Sequence, residues 1–164
     1  MNRIQIVERN KASLGLRFVN RIVDLICFYV LLIIILYLFS FIARVTESDL
    51  LIGFLMNFFQ RGITFYLTIY SVELIYYYIS ELLLKGRTVG KYITGTKAVT
   101  IFGEIPNSSK VLKRTLSRLI PFDALSFFGE NGWHDSWSDT RVVKISDFEN
   151  AMRMENELEN IGKE

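Results

Sequence analysis

The sequence holds one cysteine and one histidine, and its formal charge is only +2. Each scarcity excludes something. Cys27 stands alone inside an apolar run, so no internal disulfide and no thiol pair for metal or redox chemistry can form, and it reads as a packing residue. His134 precedes Asp135 as a base precedes its orienting partner, but there is no second histidine and no glycine-framed serine to go with them. A hydrolase or metal centre is therefore not expected, nor a cofactor, and the chain does not read as an enzyme. The stretch Gly86-Arg-Thr-Val-Gly-Lys91 superficially suggests a phosphate loop. That loop needs four residues between its glycines and Ser or Thr after the lysine, whereas here there are three and Tyr92 follows, so it is rejected. The small net charge gives no reason to expect a nucleic-acid partner. No internal repeat appears, and 164 residues are too few for a transporter with two full repeats unless copies associate.

What is present is apolar sequence gathered into blocks. Ile22–Ile42 is a run of 21 residues whose only charge is Asp24, long enough to cross a hydrocarbon core of roughly 30 Å. A signal peptide is the competing reading; the length of the run and the poor cleavage site at Ser40–Ala43 favour a retained anchor. A second span is expected over about residues 63–84, rich in tyrosine. Between them the apolar piece Leu50–Phe59 is too short to span and belongs at the surface or against the bundle. Arg3, Arg9, Lys11, Arg17 and Arg21 precede the first span, Lys85, Arg87, Lys91 and Lys97 follow the second, and Arg44 and Arg61 lie between. The positive-inside rule then places both termini in the cytoplasm.

Around these spans, residues 1–11 read as a polar lead-in with Ser13 as a helix N-cap. Past the second span, Thr96–Phe102, Gly103 and Ile105-Pro106 suggest a small cytoplasmic β-hairpin, and Asn107–Ser109 a turn and helix cap. Residues 110–128 suggest an amphipathic, interfacial or re-entrant segment, with Val111, Leu112, Thr115, Leu116, Leu119 and Ile120 on its apolar side and Lys110, Lys113, Arg114 and Arg118 on others. Such a helix suits anionic lipid headgroups; a third full span is the rival reading. Residues 146–164 form an acidic tail expected to lack order. The fold class is thus an all-α membrane protein with two transmembrane helices, an amphipathic segment and a small hairpin.

Ionisable residues in greasy surroundings carry the functional expectation, since a charge at the bilayer centre costs at least about 2.5–3.5 kcal/mol. Arg17, Arg21 and Asp24, at i, i+4 and i+7, share one helix face. Glu73, Tyr77 and Glu81 share a stripe on the second span, with Glu81 at the cytoplasmic end, where it is expected to meet Asp24 or its arginines, and Glu73 near the middle. One reading is a proton or cation site formed by Asp24 and Glu81, tuned by Arg17 and Arg21, with Glu73 and Tyr77 as a relay. The other is a set of structural ion pairs that fix helix packing. His134 and Asp135 are expected to make local hydrogen bonds within their loop.

Three pieces in order resemble the RDD family of small integral membrane proteins. Arg17-Phe-Val-Asn-Arg-Ile-Val-Asp24 is similar to its opening motif. Glu81-Leu-Leu-Leu-Lys-Gly-Arg-Thr-Val-Gly-Lys-Tyr-Ile-Thr-Gly95, with Gly90 and Lys91, resembles its central one. Arg118-Leu-Ile-Pro121-Phe and His134-Asp135, followed by Thr140 and Val142, resemble its closing section. The resemblance covers residues 12–145 and maps the arginine and two aspartates of the family name onto Arg17, Asp24 and Asp135. It implies a bacterial cytoplasmic-membrane protein, with sodium–proton exchange attributed to some members. The leading expectation is an oligomer moving protons or small cations; the alternative is a non-transporting adaptor that binds lipid or another membrane protein.

Overall fold

The computed structural model describes residues 2–60, 62–118 and 133–161. Its elements in order are α1 (Arg3–Arg9), α2 (Leu14–Val45), α3 (Asp49–Gln60), α4 (Ile63–Leu83), α5 (Val89–Ile93), β1 (Thr96–Thr100), α6 (Ser108–Ser117), α7 (Trp133–Trp137), β2 (Thr140–Lys144) and α8 (Ile145–Ile161). The chain divides into two compact units, Leu25–Tyr76 and a second made of Met1–Asp24 with Tyr77–Glu164.

In the Leu25–Tyr76 unit the elements are the body of α2, α3 and most of α4. Ser13 caps α2 as expected, its hydroxyl accepting the Leu16 N–H at 3.3 Å. The helix runs for 32 residues and is long and apolar enough to cross a membrane alone, whereas α4 meets that standard only together with α3, from which it is bent by 98°. None of the residues of α3 is buried, and its Phe58 packs edge-on to Phe65 of α4 with ring centroids 5.1 Å apart. Ile33, Tyr37 and Phe41 of α2 stay 64%, 71% and 56% exposed, an apolar surface that calls for lipid or another protein.

The other unit departs from expectation in three places. The expected hairpin is replaced by a longer-range pairing: β1 runs antiparallel to β2, from Thr96 opposite Lys144 to Thr100 opposite Thr140. A turn does close after β1, with the Thr100 N–H donating to the Glu104 carbonyl at 2.8 Å, but Pro106 has no N–H for a ladder and Asn107 immediately caps α6, its side chain accepting from the Lys110 N–H. Residues 1–11 are more than a lead-in. Ile6 and Val7 of α1 are fully buried against Val99, Val143 and Phe148. Of the expected tail, residues 146–161 likewise belong to α8, whose Phe148, Ala151 and Met152 follow helical spacing and close the same core. The chain entering α2 extends this sheet, since the Ala12 N–H donates to the Val142 carbonyl at 2.8 Å. Leu119, Ile120, Pro121 and the Phe122–Phe128 stretch lie outside the described residues, and with them the choice between an interfacial segment and a third span.

Candidate functional site

The first residues of α2 carry a polar face at helical spacing into the α1/β1/β2 unit. Arg17 is 4% exposed; its Nε donates to the Ala12 carbonyl at 3.1 Å and its Nη1 lies 3.4 Å from Asp135 Oδ2. One turn on, Asn20 donates to Thr96 Oγ1 at 2.9 Å and accepts from the Thr94 hydroxyl. Arg21 lies over the Tyr77 ring, 4.9 Å from its centroid. Asp24, nearly sealed, accepts the Thr88 hydroxyl at 2.6 Å and the Gly90 N–H at 2.7 Å.

That last pair explains why the segment after α4 reads Thr-Val-Gly-Lys. Thr88 is the N-cap of α5, accepting from the Lys91 N–H while donating to Asp24. Gly90 is where α5 meets α2: a Cβ there would collide with the Asn20 carbonyl oxygen and sit 3.0 Å from Asp24 Oδ1. Alanine normally favours a helix over glycine, by about 1 kcal/mol, but here the sign reverses. Gly90→Ala is expected to destabilise by about 1–3 kcal/mol, read as a lower melting temperature of detergent-purified protein, because the backbone must move or Asp24 must leave its two donors.

Lys91 points to the opposite partner. Its ammonium lies 2.5 Å from Glu81 Oε1, in the last turn of α4. Glu81 is 1% exposed and also receives Arg118 at 2.8 Å on Oε1 and Arg114 Nε at 2.9 Å on Oε2. Arg114, fully buried on α6, turns its other edge to Asp135 Oδ1 at 2.5 Å and to the Thr140 hydroxyl. Ser138 lies 2.7 Å from that hydroxyl, and Arg141 reaches Glu8 at 2.7 Å beside it. The Tyr77 ring is flanked by cations, with Arg118 4.3 Å and Arg21 4.9 Å from its centroid. Burial lowers the Lys91 ammonium from its ordinary range against the pull of Glu81, since Arg114 and Arg118 repel it. For Arg114, burial alone would act the same way, but Glu81 and Asp135 together outweigh it and raise the guanidinium.

The expected pairing of Asp24 with Glu81 is therefore resolved differently. α5 stands between them, holding Asp24 through Thr88 and Gly90 and Glu81 through Lys91. Arg17 serves Asp135 rather than Asp24, and Asp135 bonds far from its own loop, to α6. Gly95, at φ +66°, ends α5 and accepts the Ile145 N–H at 2.9 Å. Glu73 belongs to the Leu25–Tyr76 unit, where it is 6% exposed. Pro121 and the His134 side chain lie outside the described residues. Sequence reasoning missed Arg114, which it put with the basic residues off the apolar face, and gave Asn20 and Thr96 no role. The signal for Arg114 was its place: it follows Val111 by three and precedes Arg118 by four, on the buried face of α6.

Among the described residues no group of three or more His, Cys, Asp or Glu side chains could hold a metal ion. The partners described above for Asp24, Glu81 and Asp135 are fixed donors: lysine, arginine, hydroxyl or backbone N–H. In comparisons with known proteins, the RDD family pattern matches residues 11–143. No curated protein and no solved structure matches the chain.

Proposed function

The chain belongs to the RDD family, and from that premise we propose a multi-pass protein of the bacterial cytoplasmic membrane, both termini inside, that acts as a non-transporting adaptor. In this reading α2 and α4, the latter with α3, anchor the protein. The α1/β1/β2/α8 core and α6 form its cytoplasmic head, tied to the helix ends by α5 and Arg114. Copies associate through the apolar faces of the helices.

The observation that carries the proposal is the closure of Glu81 by Lys91, Arg114 and Arg118. A travelling cation would have to displace three bound ones, at a desolvation cost no surface site bears. The head also has a membrane-facing character: Leu112 and Leu116 are 45% and 50% exposed on α6 beside exposed Lys113, which suits an anionic lipid surface.

Proton or sodium transport is the second reading, and Glu73 favours it, being buried on a spanning helix. Proteoliposomes loaded with a pH dye separate the two. An adaptor moves no protons under sodium or potassium gradients. In addition, Asp24→Asn keeps the fold at a cost of about 1–2 kcal/mol, because an amide still accepts from Gly90 and donates to Thr88. Gradient-driven proton movement that Asp24→Asn or Glu73→Gln abolishes without loss of folded protein would overturn the adaptor reading.

A further inference from the structure

The Leu25–Tyr76 unit contains a cleft of about 530 Å³ lined by residues of α2 and α4. Four of its residues, Tyr66, Ile69, Tyr70 and Glu73, stand at i, i+3, i+4 and i+7 on one face of α4, and Tyr29 and Leu32 face the cleft from α2. Exposure grades along it. Tyr66 and Tyr29 are 70% and 47% exposed, while Ile69 and Glu73 are 9% and 6% exposed. Aromatic rings thus mark the accessible part and a carboxyl group the recessed part, in surroundings otherwise of leucine, isoleucine and phenylalanine.

We propose that this cleft binds a lipophilic organic cation, an amine or onium ion carrying apolar arms. The volume falls in the usual range for a small-molecule site, about 300–1,000 Å³, with mostly apolar walls and one carboxyl group to orient the guest. A carboxylate in such walls prefers a cation whose own desolvation is cheap. An onium centre wrapped in hydrocarbon meets that need, and hydrated sodium does not. Tyrosine faces add attraction for such centres, as aromatic cages do for quaternary ammonium groups. A carboxyl group has several lone pairs, so partners that Glu73 already has within the protein leave acceptor capacity for a guest. An acyl chain or a second copy of the protein would use the apolar walls but would gain nothing from Glu73.

The test is equilibrium dialysis of radiolabelled tetraphenylphosphonium against the full chain in phosphatidylcholine nanodiscs, with empty nanodiscs as the blank. Saturable binding above the blank is expected. Glu73→Gln weakens it by about tenfold or more, and Tyr66→Leu, at an exposed position where folding is not at stake, by about threefold. Neutral triphenylphosphine oxide does not compete. Uptake no greater than that of empty nanodiscs overturns the proposal. So does wild-type affinity in Tyr66→Leu and in a Glu73→Gln protein that elutes as the folded species. Equal competition by the phosphine oxide overturns it too, because the cleft would then be a generic apolar slot.

Discussion

Replacing Arg114 by methionine is expected to cost about 3–5 kcal/mol, which for a chain of this size lowers the melting temperature in detergent by roughly 10 °C. The side chain keeps an unbranched apolar stem and loses its charge and every donor. What it leaves behind sets the magnitude: Asp135 loses its shortest ionic contact and is left with Arg17 at 3.4 Å, and Glu81 loses the Arg114 donor on Oε2. Both carboxylates remain out of water, and an uncompensated buried charge is costlier than the pair it came from. Arg114→Lys should recover less than half of the loss. One ammonium cannot bridge Glu81 and Asp135 as the two edges of a guanidinium do. Melting within about 1 kcal/mol of the parent would mean that the network contributes little, and the adaptor reading would lose its physical basis.

The part of this site on α2 was legible because it is local. Arg17, Arg21 and Asp24 lie within two turns, and helical period alone puts them on one side; Asn20 sits among them but carries no charge to draw notice. That Glu81 needs cations also follows from its place at the end of an apolar helix. Which cations it finds does not follow, because Lys91, Arg114 and Arg118 stand 10, 33 and 37 residues away and reach it only through the fold. Residue type misleads the reading of α6: it puts the basic side chains off the apolar face, although Arg114 lies on the stripe of Val111 and Thr115, both buried. The β pairing was hidden for a similar reason. A glycine turn after β1 suggests a neighbour a few residues on, while the partner that completes the core is β2, with all of α6 and α7 between them in the chain. The long apolar helix, by contrast, needs no partner within the chain to be recognised.

Phe148→Ala tests the element the sequence reading treated as a loose tail. The ring is 4% exposed and packs with Ile6, Val7, Val99 and Val143. Its edge lies so near Gly103 that a Cβ on that glycine would be 3.0 Å from Cζ. Lys97 covers it, 5.2 Å from the ring centroid, and also pairs with Glu149 of α8 at 2.9 Å. Deleting a phenyl group from a core this small should cost about 3–5 kcal/mol, because few neighbours are available to collapse into the void. Phe148→Leu, which fills most of the space, should cost less than half as much. The loss falls on the contacts that hold α1 and α8, so local opening, not global unfolding, should respond first. Limited proteolysis within residues 145–161 should speed up by on the order of a hundredfold while the detergent melting temperature moves little. If melting falls in step with proteolysis, then the α1/α8 core and the Arg114 network fold as one cooperative body. In that event, α8 cannot loosen without also releasing the ends of α2 and α4 that the Arg114 network holds.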